Sequence, residues 1–328
     1  MARCGLDVTE LSFGCSSIAG LTRAVTDVEA QHVLEAAWAS GIRYFDTAPH
    51  YGLGLSEQRL GTFLATKRSE ALVVSTKVGR VLDPLPPGEE IVSAFTGALP
   101  HRPVFDYTYA GVMRSFEESC ERLGGRVPDI LYVHDIGRRK HGADNERYLQ
   151  QLYEGGLLAL QELKKRGTIR GFGLGVNEVD ICVEVIGNFD LDVILLANRY
   201  TLIDRAAERG LLALCENRGV DIIVGGVFNT GVLAATDPNR ATFDYRPAGQ
   251  EMAGFVAHLR ALCEANGSDI VAAALNFPLR SPAVASVLIG TARISSLEDC
   301  LAKYGSDLPE ALWHMIDAKV ARPTAAAR

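Results

Sequence analysis

Short apolar runs alternate with segments of helical periodicity along almost the whole chain, and this alternation limits the possible folds more than any other feature. Most of the runs are continuously apolar, which is typical of strands that are covered on both faces. Eight runs are therefore predicted to be strands, at residues 11–15, 43–47, 71–77, 129–134, 169–176, 192–198, 221–226 and 284–290.

The segments between these runs carry apolar residues at helical spacing. The first has the clearest boundaries, because Thr26 and Glu29 have the spacing of a capping box and Gly41 marks its end. The predicted helices span residues 27–40, 57–65, 111–123, 149–166, 178–186, 205–217, 255–265, 270–279, 295–303 and 310–320.

This strand–helix alternation predicts a parallel sheet, either doubly wound or closed into a (β/α)₈ TIM barrel. A dinucleotide-binding doubly wound sheet would show GxGxxG after its first strand, but the first run here leads into GCSSIAG at residues 14–20. The number of repeats and the length of 328 residues favour a single (β/α)₈ barrel domain over residues 1–328.

Composition narrows the class of protein. With 48% hydrophobic and 22% charged residues, the chain has the balance of a soluble globular protein. Its net charge of −7 argues against a basic face for nucleic acid, although it leaves room for one local basic pocket. The 7 cysteines show no CxxC or zinc-ligand spacing, so they are interpreted as reduced core residues, and no metal is expected. We find no secretory signal and no run of about 18 apolar residues, so we expect a cytoplasmic protein without membrane contact.

One connection departs from the even spacing. After the third predicted strand, residues 80–108 form a proline-rich segment that is longer than ordinary loops in a compact domain. It follows a strand, on the barrel face where active sites lie, so we predict a loop that forms a wall of the substrate site. A surface hairpin without a function is the alternative.

Polar side chains stand where three successive strands end. Asp46 ends the second predicted strand, and Tyr51 follows five residues later. Lys77 ends the third strand and His134 ends the fourth. Because the carboxyl ends of barrel strands meet at one mouth, we expect these four side chains to lie close together.

This combination suits proton transfer at a carbonyl or hydroxyl oxygen. A free tyrosine has a pKa of about 10, and a nearby Lys77 ammonium is expected to lower the pKa of Tyr51. Asp46 can hold Lys77, and a neutral His134 can donate a hydrogen bond to a substrate oxygen. Side chains cannot accept a hydride, so a nicotinamide cofactor is the simplest supplement.

The segments at residues 41–61, 73–79, 129–135 and 163–178 closely resemble the aldo-keto reductases, and the resemblance covers essentially the whole chain. It implies a (β/α)₈ barrel that binds NAD(P)(H) without a Rossmann domain. The resemblance also implies that the catalytic tetrad consists of Asp46, Tyr51, Lys77 and His134.

The resemblance further implies where a nicotinamide dinucleotide binds. Ala197 and one of Gly225 and Gly226 stand where many members carry a carboxamide-binding Gln and a stacking aromatic residue, and Asn198, Arg199 or Phe228 could replace them. NAD is favoured over NADP, because Ser296 stands where many NADP-dependent members carry a second basic residue. The implied cofactor-binding residues are Cys15, Ser16, Asp46, Asn177, Val227, Phe228, Gly231, Gly290, Thr291 and Arg293.

Within the family, residues 101–124, 130–142 and 195–204 resemble a branch that oxidises cyclic hemiacetals to lactones. The implied substrate is a small sugar of the L-fucose, D-threo-aldose or L-galactose type, with Tyr51 as the base. Alternatives are a pyridoxal 4-dehydrogenase, a general NADPH-dependent aldehyde or ketone reductase, and a cofactor-binding regulatory subunit. We expect a monomer or a small homo-oligomer.

Overall fold

Each of the eight runs predicted to be a strand contributes one strand to a closed parallel barrel in the computed structural model, which describes residues 1–21, 23–67 and 71–320. The (β/α)₈ prediction is therefore confirmed. In chain order the strands are β1 (Leu11–Gly14), β2 (Tyr44–Asp46), β3 (Val73–Val78), β4 (Arg80–Pro84), β5 (His101–Phe105), β6 (Ile130–His134), β7 (Gly171–Val176), β8 (Val193–Ala197), β9 (Asp221–Gly225), β10 (Thr242–Phe243), β11 (Arg246–Pro247) and β12 (Val284–Ile289).

Around the barrel the order is β1, β2, β3, β6, β7, β8, β9 and β12, and β12 pairs with β1 to close it. The other four strands form two antiparallel hairpins outside the barrel, β4–β5 and β10–β11. Because all barrel strands are parallel, their carboxyl ends form a single mouth.

The helices pack around the barrel. The predicted capping box is present, because the Glu29 amide donates to Thr26 Oγ1 at 3.2 Å and the Thr26 amide donates to Glu29 Oε2 at 2.8 Å. The helices are α1 (Asp27–Ala39), α2 (Leu55–Ala65), α3 (Tyr109–Arg122), α4 (Arg138–His141), α5 (Asn145–Gln151), α6 (Leu157–Lys165), α7 (Val179–Asn188), α8 (Leu211–Arg218), α9 (Gly249–Ala265), α10 (Ile270–Asn276), α11 (Ile294–Lys303) and α12 (Glu310–Val320).

Several predicted helices have different bounds in the structure, and two of them are interrupted. The segment 149–166 is divided into α5 and α6 by a π-helical turn at Leu152–Gly156. Helix α8 begins only at Leu211, because Gly210 has a φ of 110° and interrupts the helical backbone. The hydrophobic pattern continues across both interruptions, so periodicity alone does not reveal them.

Glycines on β7 allow the barrel interior to pack closely. A Cβ atom on Gly173 would lie 1.6 Å from the Val193 carbonyl oxygen on the neighbouring strand β8. A Cβ atom on Gly175 would lie 3.1 Å from Tyr132 Cβ and 3.3 Å from Lys77 Cε. The glycine at 175 therefore leaves space for the side chain of Lys77 inside the barrel.

A chain of hydrogen bonds crosses the barrel interior towards the mouth. The hydroxyls of Tyr132 and Tyr44 are 2.9 Å apart, and the Tyr44 hydroxyl is 3.0 Å from Ser75 Oγ. Ser75 Oγ in turn donates to Asp46 Oδ1 at 2.7 Å. These buried polar groups satisfy one another and fix the orientation of the Asp46 carboxylate.

Residues 80–108 form a hairpin with a long tip, and the prediction of a loop was wrong for its two ends. Gly79, with a φ of 92°, redirects the chain after β3. Strand β4 then pairs antiparallel with β5, and Arg80 lies opposite Phe105 at the end of the hairpin next to β3. The tip is attached to the barrel mouth, since the Leu99 amide donates to the Gly52 carbonyl at 3.0 Å. The proline-rich composition concealed the pairing, because prolines are poor strand residues.

The second hairpin, β10–β11, has no counterpart in the sequence predictions. Its turn residues Asp244 and Tyr245 both have positive φ, 53° and 66°. Ion pairs at 2.6 Å join Asp244 to Arg139 and to Arg199. These contacts hold a backbone conformation that non-glycine residues rarely adopt.

The cysteines agree with their interpretation as reduced core residues. All seven are free, six of them are buried, and Cys120 is half-buried on α3. Within the described ranges, no helix combines the length and the apolar character needed to cross a bilayer.

Candidate active site

The ends of β2 and β3 bring Asp46 and Lys77 into a buried ion pair. Lys77 Nζ donates to Asp46 Oδ2 at 2.7 Å and to the Thr47 carbonyl oxygen at 2.8 Å. Both side chains are almost fully buried, at 2% and 1% exposure. A buried pair of this kind needs additional hydrogen bonds, and Thr47 and Ser75 supply them.

Tyr51 lies directly beside this pair. It begins a short 3₁₀ turn, Tyr51–Gly54, in which Gly52 and Leu53 have φ values of 63° and 54°. Lys77 Nζ lies 4.9 Å from the centroid of the Tyr51 ring. The ammonium group therefore faces both the Asp46 carboxylate and the aromatic ring of Tyr51.

His134 completes the predicted set of four. Its ring meets the Tyr51 ring edge to face, with the centroids 6.0 Å apart. The backbone below it is fixed, because the Tyr107 hydroxyl donates to the His134 carbonyl oxygen at 2.7 Å. His134 Nδ1 is buried and has no hydrogen-bond partner in the protein. A buried ring nitrogen without a partner is available to a ligand.

The protonation of Tyr51 differs from the prediction. Burial raises the pKa of Tyr51 to about 12, and the Lys77 ammonium only partly opposes this effect. The expected net lowering of the pKa was therefore wrong for the protein without bound ligands. For Lys77, burial works against the charged form, but Asp46 and Tyr51 outweigh it and raise the pKa of Lys77. Lys77 is thus charged, and Tyr51 is a protonated phenol at neutral pH.

Two neutral histidines face the same space. Burial lowers the pKa of His134 well below its usual value, and the cations Arg80 and Lys77 lower it further. His50, which the sequence analysis did not select, lies with its ring centroid 6.0 Å from that of His134. Burial, followed by Arg80 and Lys140, lowers the pKa of His50 to about 3. Both imidazoles are therefore uncharged at physiological pH.

These side chains line a cavity of about 390 Å³ at the barrel mouth. Phe95 from the tip between β4 and β5 forms part of its wall, with its ring 5.8 Å from that of His50. The cavity is also lined by Ser16, Tyr51, Lys77, Arg80, His134, Asp135, Arg139, Lys140, Asn177, Glu178 and Tyr245.

The residues implied for binding the nicotinamide end of the cofactor fall into two groups, those that line the cavity and those that do not. Ser16 and Asn177 line the cavity. Cys15 does not, because it is fully buried and its amide donates to the Asp46 carbonyl oxygen at 2.8 Å. Val227 is buried, and Phe228 packs against the same hydrophobic core. The structure thus gives Cys15, Val227 and Phe228 packing contacts and leaves them outside the cavity lining.

The remaining implied residues lie on the loops after β9 and β12. Asn229, Thr230 and Gly231 have successive positive φ values of 47°, 57° and 111°. Gly290 lies against β1, since a Cβ atom there would be 3.0 Å from the Gly14 carbonyl oxygen. Thr291 Oγ1 accepts a hydrogen bond from the Arg293 amide at 3.0 Å, and the Arg293 side chain is exposed at the start of α11.

The residues around Asn177 fit a carboxamide group. Asn177 Oδ1 accepts from Asn198 Nδ2 at 3.0 Å, and the Tyr245 hydroxyl donates to it at 3.3 Å. Asn198 Oδ1 is buried and has no partner in the protein. Arg199 is bound to Asp204 and Asp244, so it does not replace the missing glutamine. An amide needs donors and acceptors together, and Asn177, which lines the cavity, carries both. Asn198 is buried, does not line the cavity and orients the oxygen of Asn177.

His50, Arg80, Lys140 and Tyr245 are among the cavity residues that sequence reasoning missed. His50 directly precedes Tyr51, and Arg80 follows the glycine that ends β3, so their neighbours in the sequence were the available signal. Lys140 belongs to the basic run Arg138–His141, which forms the short helix α4. Tyr245 had no signal, because β10 and β11 are two residues each.

Known proteins resemble this chain over almost its whole length. A model described as the aldo/keto reductase family matches residues 10–321. A pyridoxal 4-dehydrogenase from Microbacterium luteolum is 42% identical over an alignment of 323 positions, which covers 95% of this chain and 94% of that protein. A D-threo-aldose 1-dehydrogenase from a Pseudomonas species is 37% identical over 317 residues, with 95% and 94% covered.

Among solved structures, an aldo-keto reductase from Bacillus halodurans in its holo form superimposes with a TM-score of 0.75. The alignment covers 96% of this chain and 93% of that one at 22% sequence identity. At this level of identity the similarity supports the barrel fold alone.

Proposed function

The chain belongs to the aldo/keto reductase family, and from this premise we propose that it oxidises the hemiacetal carbon of a cyclic aldose to a lactone with NAD(P). As a member of that family it is an oxidoreductase. The proposal depends above all on one observation, the buried Lys77–Asp46 pair beside the ring of Tyr51. The family implies NAD(P)(H), and the amide of Asn177, which Asn198 holds in place, suits the carboxamide of the nicotinamide.

The side chains of the cavity would divide the proton chemistry between them. In its phenolate form, Tyr51 accepts the proton of the hemiacetal hydroxyl through its phenolic oxygen. Lys77 favours the phenolate form of Tyr51, and Asp46 keeps Lys77 in position. Neutral His134 orients the substrate oxygen through its ring. When bound, a nicotinamide would supply the acceptor for the hydride that leaves the hemiacetal carbon.

We favour NAD over NADP. Arg293 provides an exposed cation at the start of α11, and Ser296 adds none. A second arginine, Arg23, donates to the Ala292 carbonyl oxygen at 2.9 Å, but Glu29 neutralises it in an ion pair of 2.9 Å. Among the residues that the structure describes, a 2′-phosphate at the start of α11 would thus find one arginine without a carboxylate partner, Arg293. We expect kcat/KM to be higher with NAD, and a strong preference for NADP would contradict this assignment.

Pyridoxal is the second candidate substrate, because a relative that is 42% identical is a pyridoxal 4-dehydrogenase. Pyridoxal also closes to a cyclic hemiacetal, whose oxidation gives a lactone. The same side chains, Tyr51, Lys77 and His134, would act on it. The two candidates therefore share their chemistry and differ in the shape of the substrate.

The decisive experiment is a substrate panel. L-fucose, D-arabinose, L-galactose and pyridoxal are each tested with NAD and with NADP, and the lactone product is identified by mass spectrometry. We expect lactone formation from at least one sugar at a higher kcat/KM than from pyridoxal. A preference for pyridoxal would select the second candidate, and turnover only in the reduction of simple aldehydes would contradict both.

The β4–β5 hairpin is proposed as the wall that selects the substrate. Phe95 packs beside His50 and Tyr51, with its ring centroid 5.8 Å from that of His50 and 5.9 Å from that of Tyr51. Replacing Phe95 by Ala in the same panel should change the order of preferred substrates. An unchanged order would remove the hairpin from substrate selection.

A further inference from the structure

Two cations at the end of the cavity share one aromatic ring. Arg80 Cζ lies 4.8 Å from the centroid of the Phe105 ring, and Lys140 Nζ lies 5.7 Å from it. Both residues line the cavity that also contains Tyr51, and they come from different elements, β4 and α4. The fold therefore holds two positive groups near one another, although the chain as a whole carries a net charge of −7.

The positive charge of these two groups is only partly compensated. Arg80 forms an ion pair with Asp135, but its Nε atom is buried and has no hydrogen-bond partner in the protein. Lys140 has no carboxylate within ion-pair distance among the residues that the structure describes. Leaving a buried guanidinium N–H without an acceptor is costly, so this position favours a ligand that accepts hydrogen bonds.

The other charged groups of the cavity are already engaged. Lys77 is paired with Asp46, and Arg139 is paired with Asp244. Of the lining carboxylates, Asp135 is bound to Arg80, and Glu178 accepts a hydrogen bond from the Arg139 amide at 2.8 Å. Lys140 and the Nε atom of Arg80 are thus the groups left to meet a negative charge.

Neutral histidines border these cations. Burial, together with Arg80 and Lys140, lowers the pKa of His50 to about 3. Arg80 also lowers the pKa of His134 after burial. Arg80 and Lys140 line the same cavity as His50 and His134, so a substrate that lies beside the two histidines also meets the two cations.

We propose that Arg80 and Lys140, placed around the ring of Phe105, form a subsite for a carboxylate or phosphate carried by the substrate. This inference rests on the proposed function, and it narrows the substrate class to acidic hemiacetals such as uronic acids or sugar phosphates. The anionic group binds where Arg80 and Lys140 line the cavity and leaves the hemiacetal carbon near Tyr51. Arginine and lysine both recognise such oxygens, and arginine does so with directed N–H groups.

The test compares neutral and anionic members of matched pairs. D-galactose is paired with D-galactose 6-phosphate and, in a second pair, with D-galacturonate, so that the arms separate phosphate from carboxylate. We expect the wild-type protein to show a higher kcat/KM for the anionic member of at least one pair. Lys140→Gln should reduce the anionic-to-neutral ratio of kcat/KM by about fivefold.

Arg138→Gln serves as the matched control. Arg138 lies on the same short helix, is exposed, and pairs with Glu146 at 3.3 Å, away from the cavity lining. The ratio should not change in this variant. A higher kcat/KM for the neutral members in the wild-type protein would overturn the subsite. An equal fall of the anionic-to-neutral ratio in Lys140→Gln and Arg138→Gln would also overturn it.

A binding measurement separates this inference from the proposed function. Methyl galactosiduronate and methyl galactoside have no free hemiacetal, so calorimetry with them reports recognition without turnover. Tighter binding of the uronate, lost in Lys140→Gln, would support the subsite even if no sugar is oxidised. Equal binding of the two glycosides together with equal kcat/KM within each pair would contradict it.

Discussion

Tyr51 is the residue on which the proposed proton transfer depends. Tyr51→Phe removes one oxygen atom and keeps the ring that packs against Lys77 and Phe95. We expect kcat to fall by at least about a hundredfold, because a positioned acid or base typically contributes 10² to 10⁴. Nicotinamide fluorescence should show that cofactor affinity is retained. Turnover near the wild-type level would exclude Tyr51 as the proton acceptor.

The pH dependence of oxidation follows from the same residue. The pKa of Tyr51 is raised to about 12 by burial, so the phenolate is scarce at neutral pH. We therefore expect kcat/KM for oxidation to rise with pH above about 7 and to continue rising at pH 10. A plateau already reached at pH 7 would show that the base is another group, or that bound cofactor lowers the pKa of Tyr51.

Lys77→Met tests the role of the ammonium group. It removes the cation that opposes the effect of burial, so the pKa of Tyr51 rises and the ascending limb of the profile moves to higher pH. It also leaves the buried Asp46 carboxylate unpaired, which costs about 3–5 kcal/mol of stability. The double variant Asp46→Asn with Lys77→Met should recover stability but not activity. Recovery of both would reduce Lys77 to a purely structural role.

At the scale of elements, β7 provides a test of close packing. Gly173→Ala places a Cβ atom 1.6 Å from the Val193 carbonyl oxygen, so β7 and β8 must separate. We expect a loss of at least about 1–3 kcal/mol in the free energy of unfolding, measured by urea denaturation. Gly187→Ala on α7 is the control, because its Cβ atom meets nothing within 4 Å. It should be neutral or stabilise by up to about 1 kcal/mol.

The barrel strands could be predicted because most of them are continuous apolar runs between turn residues. The two hairpins could not be predicted. Strands β10 and β11 are too short to show a periodicity, and the prolines in β4 and β5 are poor strand residues. The convergence of Asp46, Lys77 and His134 followed from strand order alone. The pKa of Tyr51 could not be predicted, because it depends on how much water the folded mouth excludes.

At the scale of the whole molecule, the neutral histidines make stability sensitive to acid. Burial and nearby cations lower the pKa of His50 to about 3 and that of His141 to about 4. In the unfolded chain a histidine titrates near 6.5, so below this pH the unfolded state binds more protons. Stability contributed by these groups is complete above pH 6.5 and is lost as the pH falls towards 4.

We therefore expect Tm to be lower at pH 5 than at pH 7 by several degrees, measured by scanning calorimetry. His50→Gln should make this difference smaller, because it removes one group that titrates only on unfolding. His258→Gln, at an exposed position on α9, should leave the difference unchanged. A Tm that is independent of pH between 5 and 7 would show that folding does not lower the pKa of these histidines.

The seven free thiols give the protein a set of natural probes. They lie on separate parts of the barrel, and burial raises the pKa of each, to about 11 at Cys263 and about 12 at Cys4. A maleimide therefore modifies a buried cysteine only during a local opening that exposes it. Peptide mapping would give the order of modification, from half-buried Cys120 to fully buried Cys15. This order would show which parts of the barrel open first, without any introduced label.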